Sequence, residues 1–422
     1  MSYTKTTNYD YFGSSLGHKK RQCWTLQNCR VGCLPPSPNT LDDADLSWPA
    51  DPRRIILSRQ SASAMSSASV ELTPLDCTVR VATLDPSRLH EAFHVLLKLL
   101  FFHEDEDEDE EQQRFFSISV SSSEKAAAVP EPDAISIIAD AEELALFDAL
   151  RRDGLPDALR QDETDWRVLM VSEGAAGFDS VGVVERITGP LASAAIPVLY
   201  TSTVSTDFVL IPVEKVDEAV EALNGGSPRP MGKARNTDRS SSNHDKEQQL
   251  HAANGRPPAA ATPERNGELQ SPQRHEHPLH ALSATSQIFS IDKASRRAHT
   301  SALLRLLFLP HPDDPPHALR ALTETPDEVS ILCGTVPWFL DYAESNSIRA
   351  AGLDGWVPIR VGGEGGTPLD EVGVVATQAN VLARANIPIV YHASFLSDYT
   401  LVQEHQLQRA IDAFTAAGFT IT

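Results

Sequence analysis

The chain has 422 residues, enough for two or three domains that each bury a core, and 41% of them are hydrophobic, as in soluble globular proteins. A formal net charge of −22 argues against nucleic acid and anionic membrane as main partners, because the long-range field repels both. Eight of the negative charges form one run, Glu104 to Glu111, whose self-repulsion predicts a solvated loop.

Taken in chain order, residues 1–70 are rich in Ser, Asn, Pro and Arg and keep no helical or strand period, so a disordered tail is expected. Three of the five cysteines, Cys23, Cys29 and Cys33, fall in this tail without a fourth zinc ligand nearby, and no metal site is expected. No basic segment leads into an apolar core at the N-terminus, and no apolar run approaches the roughly 18 residues of a membrane span. A reducing, cytoplasmic location follows as an expectation. Cys77 and Cys333 sit in apolar runs and are expected as small core residues.

Residues 72–157 change character. Strands are predicted over 77–84, 115–120 and 134–140, with helices over 87–102 and 141–153. Residues 160–224 follow the same scheme: a strand at DWRVLMV, a helix opened by GFDSVGVV, strands at IPVLYTST and TDFVLIPV, and a helix at KVDEAVEAL. Residues 225–285 return to a polar, Pro- and Gly-rich composition and are expected as a disordered linker. Beyond it, residues 286–345 and 353–422 repeat the order of elements. The predicted fold class is α+β, with four ferredoxin-like (βαββαβ-type) units arranged as two tandem pairs.

The second block repeats the first at a constant shift of 191. Over Asp179 to Pro212, thirteen of thirty-four positions are identical without a gap, against roughly two or three expected by chance. Both copies open a helix directly after a strand, with Asp179-Ser180-Val181-Gly182 and Asp370-Glu371-Val372-Gly373. An Asp there can cap the helix; alternatively, exposed N–H groups of the first turn receive the carboxylate of a free amino acid. Further on, each copy places a turn between two strands, at Thr203 to Asp207 and at Ser394 to Asp398, where the Asp could simply cap its own turn.

The copies differ where it matters for charge. Glu371 and Phe395 in the second stand where Ser180 and Val204 stand in the first. Two carboxylates, Glu371 and Asp398, with an aromatic wall at Phe395, suit a planar cation that takes bidentate hydrogen bonds and rests against a ring. If one copy binds such a ligand, it is the second. Val204, Ser205 and Asp207 of the first are then candidates for a partner surface. Gly362 to Gly366 lacks the Lys and Ser or Thr of a phosphate loop and reads as a strand-to-helix loop able to fold over a ligand. No nucleophile-elbow, kinase or HExxH signature occurs, and neither enzymatic activity nor a cofactor is expected. The histidine cluster His275, His277 and His280 lies in the expected linker.

GFDSVGVVERITGPLASAAIPVLYTSTVSTDFVLIP, LDEVGVV with IPIVYHASFLSDYTLV, and LLFLP followed by ALTETPDEVSIL resemble the CASTOR family of cytosolic arginine sensors. The resemblance covers roughly 290 residues. It implies four ACT domains in two pairs, with arginine bound where the second and fourth meet. By position it assigns ligand contacts to Glu371, Gly373 and Val374 at the helix entrance, to Ser394 and Phe395 at a strand end, and to Asp398 facing the guanidinium. The opposite wall falls on Pro197 and Val198, with Pro197 where the family has serine. LFLP and LTETP belong to the family's first half but stand here in the second, and GFD shows the converse exchange. The partners implied are a free amino acid, arginine first, and a signalling complex upstream of the TOR kinase. Homodimerisation stays open, as do a ligand-free ACT scaffold and a regulatory subunit of an enzyme such as aspartate kinase.

Overall fold

The computed structural model describes residues 55–57, 70–102, 113–121, 134–148, 159–173, 181–225, 277–309, 314, 319–352, 355–362, 367–395 and 397–422. Cys23, Cys29 and Cys33, the acidic run, Asp179, Ser180, His275, Gly363 to Gly366 and nearly all of the expected tail and linker lie outside them.

In the first half, β1 (Ile55–Leu57), β2 (Val70–Leu84), α1 (Leu89–Phe101), β3 (Phe116–Ser121), β4 (Ala134–Asp140), α2 (Ala141–Ala145) and β5 (Leu159–Gln161) come first. They are followed by β6 (Trp166–Glu173), α3 (Val183–Ser193), β7 (Leu199–Ser202), β8 (Asp207–Pro212) and α4 (Val216–Leu223). The second half runs β9 (Leu279–Ala281), β10 (Ser286–Ile291), α5 (Thr300–Phe308), β11 (Arg320–Glu324), β12 (Val329–Gly334), α6 (Pro337–Ser345) and β13 (Arg349–Ala350). It closes with β14 (Trp356–Val361), α7 (Val374–Arg384), β15 (Val390–Ala393), β16 (Asp398–Gln403) and α8 (Leu407–Ala416). The mixed, alternating α+β character read from the sequence is present throughout.

These strands form one antiparallel sheet in the order β13-β10-β12-β11-β3-β4-β2-β6-β8-β7-β15-β16-β14-β9, with β1 and β5 also on β2. Its path explains the two halves. β3 of the first half pairs with β11 of the second from Arg320↔Val120 to Glu324↔Phe116. Further along, β7 meets β15 at Thr201↔His392. One apolar core therefore joins α1, β3 and β4 to α5, β11 and β12, and a second joins α3, β7 and β8 to α7 and β15.

Two expectations need correction. The stretch 225–285, read as structureless, holds β9, whose Leu279 is fully buried and which pairs with β14 from Ile359↔Ala281 to Val361↔Leu279. Likewise β1, inside the expected tail, pairs with the start of β2. Three residues cannot display an alternating pattern, so such strands are fixed by a long-range partner. β2 is also longer than its predicted core: its first part pairs with β6 and its last part with β4, with a register shift between Pro74 and Thr78 where proline is tolerated.

Both helices opened by the duplicated motif start at a left-handed glycine, Gly182 at φ 83° and Gly373 at φ 85°. An L side chain is strained in that conformation, which accounts for glycine in both copies. A Cβ on Gly182 would touch Ala383 Cβ at 3.6 Å, and one on Gly373 would touch Ala192 Cβ at 3.7 Å, so α3 and α7 cross at matching positions. Asp370 does not cap α7; the N-cap is Gly373, without a side-chain bond, and Asp370 is exposed in the preceding turn.

Candidate ligand site

The turns before β8 and β16 share one design. Ser394 N–H donates to Ser397 O at 3.0 Å and its Oγ donates to the same oxygen at 2.6 Å, while Thr203 does the same to Thr206 O at 2.9 and 2.7 Å. The hydroxyl residue closes the turn, which leaves the aspartates Asp207 and Asp398 at the strand starts for other work. Asp207 accepts from Tyr200 Oη at 2.6 Å, and burial raises its carboxyl above the ordinary range. In the second copy Tyr391 stands where Tyr200 stands in the first, and the two rings meet edge to face at 6.3 Å between the halves.

Asp398 is 7% exposed. Burial pushes its carboxyl up to about 7, the Tyr391 hydroxyl and the His277 ring pull it down, and Glu371 pushes it up. Glu371 itself meets His277 Nε2 at 2.5 Å. Val198, Leu199, Glu371, Val374, Ser394 and Asp398 line one narrow cleft with Thr367, Pro368 and Leu369. Its volume of about 10 Å³ holds roughly one water, so a larger occupant requires the 367–369 wall to move.

Of the residues read from sequence, Val198, Glu371, Val374, Ser394 and Asp398 thus converge, and from both halves of the chain. Gly373 sets the entry of α7 rather than lining the cleft. Pro197 and Phe395 line a neighbouring cavity on the same 367–369 wall. Phe395 N–H donates to Ser136 Oγ on β4 at 2.8 Å, and its ring carries the Arg160 guanidinium at 5.8 Å, an internal cation where a ligand's was expected. Val204 packs on an apolar cluster, and Ser205 donates from N and Oγ to Glu328 at 2.9 Å each. The candidate partner surface, Val204, Ser205 and Asp207, is thereby engaged within the chain.

Sequence reasoning missed His277, Tyr391 and the 367–369 wall. Tyr200 and Tyr391 were detectable, being identical across the duplication; His277 was hidden in a polar segment without periodicity. It does not belong to a metal cluster among the described residues: His277 goes to Glu371 and His280 to Thr422. The Cys77 and Cys333 thiols are pushed up by burial, to about 11 and about 12, which keeps both protonated; Cys333 is a core residue as expected, while Cys77 is only partly buried at the edge of a core.

A sheet whose segments follow strand, helix, two strands and helix, here with a small polar cleft where segments meet, defines a ferredoxin-like class of α+β domain. The ACT domain family model matches residues 162–225 and 352–416, and the chain carries such ferredoxin-like ACT domains in tandem. The human protein named cytosolic arginine sensor for mTORC1 subunit 1 is 27% identical over 150 residues, 34% of this chain and 41% of that one. This match therefore spans about two-fifths of the human relative's length. The rat protein of the same name is 25% identical over 278 residues, 60% of this chain and 75% of that one. An aspartate kinase structure from Synechocystis aligns with 82% of this chain and 55% of its own at 13% identity, with a TM-score of 0.28, too loose to argue from. No helix among the described residues is long and apolar enough to cross a membrane.

Proposed function

We propose that the protein is a non-enzymatic, cytoplasmic sensor of a free cationic amino acid, arginine first. It binds the ligand where the second and fourth of four ACT domains meet and signals to a TOR-type nutrient pathway through protein contacts. The observation that carries this reading is the buried Asp398 beside Glu371, facing Val198 and Leu199 from the other half. A guanidinium satisfies a desolvated carboxylate that otherwise holds a proton. Because the groups come from both halves, the ligand binds well only in the arrangement that brings α3 and α7 together, and it shifts the population toward that arrangement. The names of the human and rat relatives support arginine over other cations.

A thermal-shift series with arginine, lysine and leucine tests this. Arginine is expected to raise the melting temperature of the wild type and to leave Asp398→Asn unmoved. No shift with any of the three on folded protein would remove the ligand. The closed cleft supports one rival, an ACT scaffold that binds partners without a ligand, and that outcome would select it.

A further inference from the structure

Each half of the chain sets a tyrosine on one strand beside an aspartate at the start of the next, and the two pairs are in different states. In the first half the bond is made: Tyr200 Oη donates to Asp207 Oδ2 at 2.6 Å. In the second half Tyr391 is fully buried and its hydroxyl stands near enough to Asp398 to act on the carboxyl, yet Oη is in bonding geometry with no group among the described residues. Buried hydroxyls left unmade are rare and costly.

The surroundings of the two tyrosines differ as well. Val209 pairs with Tyr200 across the strands, and Ile187 shares its apolar core. At the shift of 191 the second half has Thr400, paired with Tyr391, and Gln378 on α7, 0% and 1% exposed. The Gln378 amide has a fixed direction. Its Nε2 donates at 3.1 Å to the Val374 carbonyl, which can only accept, and its Oε1 accepts from Thr400 Oγ1 at 2.5 Å. What Gln378 has left for the neighbouring Tyr391 Oη is the second N–H of Nε2. A hydroxyl that accepts from Gln378 keeps its single proton for Asp398. Burial pushes the Tyr391 hydroxyl well above its ordinary range, so it stays a donor.

We propose that Tyr391 is the positioning residue of the Asp398 site: once Asp398 is a carboxylate, Gln378 donates to Tyr391 Oη and Tyr391 donates to Asp398. This completes in the second half the bond that the first half holds, and it fixes the carboxylate while a cation occupies the cleft. Tyr391 itself does not touch the ligand. Its part in cation binding rests on the proposed function; its part in ionising Asp398 does not.

Urea denaturation and calorimetry of the full chain test this with Tyr391→Phe and its counterpart Tyr200→Phe, which both keep the ring and the edge-to-face contact. At about pH 5, below the value of about 7 to which Asp398 is pushed, Tyr391→Phe is expected to keep the wild-type urea midpoint or exceed it. Tyr200→Phe loses a made bond and is expected to unfold at a lower midpoint. From about pH 5 to about pH 8, Tyr391→Phe is expected to lose more of its midpoint than the wild type, because Asp398 without its donor releases the proton only at higher pH. The other ionisable groups beside Asp398, Glu371 and His277, are common to both proteins. At about pH 7.5 arginine is expected to bind Tyr391→Phe about tenfold more weakly than wild type, and Tyr200→Phe within about twofold. A lowered Tyr391→Phe midpoint at about pH 5, a pH loss equal to that of wild type, or an arginine affinity within about twofold would each overturn the role of Tyr391. Arginine without heat on folded wild type, beside the steeper pH loss in Tyr391→Phe, would overturn the proposed function alone.

Discussion

Asp398 concentrates the electrostatics of the cleft in one carboxyl. Between the ordinary carboxylate range and about 7, the folded chain holds a proton there that the unfolded chain has released. Stability therefore falls as pH climbs through that window, and it is fully present only below it. Urea denaturation of the free protein from about pH 4 to about pH 8 is expected to show this decline, and Asp398→Asn to flatten it; an unchanged slope in the variant would place the proton elsewhere. A bound cation reverses the preference by favouring the ionised form, so arginine affinity is expected to rise by up to about tenfold per pH unit below about 7. His277 adds a competitor, since any ligand cation that takes Glu371 displaces it. The pair is partly exposed, at 25% and 29%, and is worth on the order of 1 kcal/mol or less. His277→Ala is accordingly expected to tighten arginine by up to about fivefold in calorimetry; weaker binding would show that the ring positions Glu371 instead.

At the scale of elements, the turns tie the halves together crosswise. The turn after β7 reaches the second half through Ser205 and Glu328, while the turn after β15 reaches the first through Phe395 and Ser136. Glu328 is 4% exposed and also accepts from Ser290 Oγ. Truncation would leave these donors unmatched in a buried place. Glu328→Ala is expected to cost about 2 kcal/mol in urea denaturation, and Ser205→Ala about 1. A neutral Glu328→Ala would show that water replaces the carboxylate. The elements themselves were legible from apolar period, because α1, α3, α5 and α7 and the central strands each bury a face long enough to show one. β5, β9 and β13 were not, since two or three residues carry no pattern and owe their conformation to the strand beside them.

For the whole molecule, the junctions matter more than the halves. Along β3 and β11 the backbones share a ladder, and Glu324, 1% exposed, takes Arg114 from the first half and Arg296 from the second. Breaking such a buried cluster strands charge in a low-dielectric place, so separation is costly. A chain cut at a protease site engineered between residues 225 and 277 is expected to elute as one complex in gel filtration at neutral pH. Two separate fragments would show that the covalent connection, rather than the shared sheet and cores, holds the halves.

The sequence by itself determined the α+β class, the duplication, and the asymmetry of charge between copies, since each rests on residue identity and local period. It also named most of the cleft, because Glu371, Ser394 and Asp398 lie within one short motif-bearing stretch. Only the tertiary structure decided which segments meet. It set Val198 across from Asp398, brought His277 to Glu371, turned Phe395 toward Arg160 and engaged Ser205 with Glu328. These are contacts between residues far apart in the chain, chosen by the sheet order and the burial of shared cores, and nothing in the local composition of either partner encodes them.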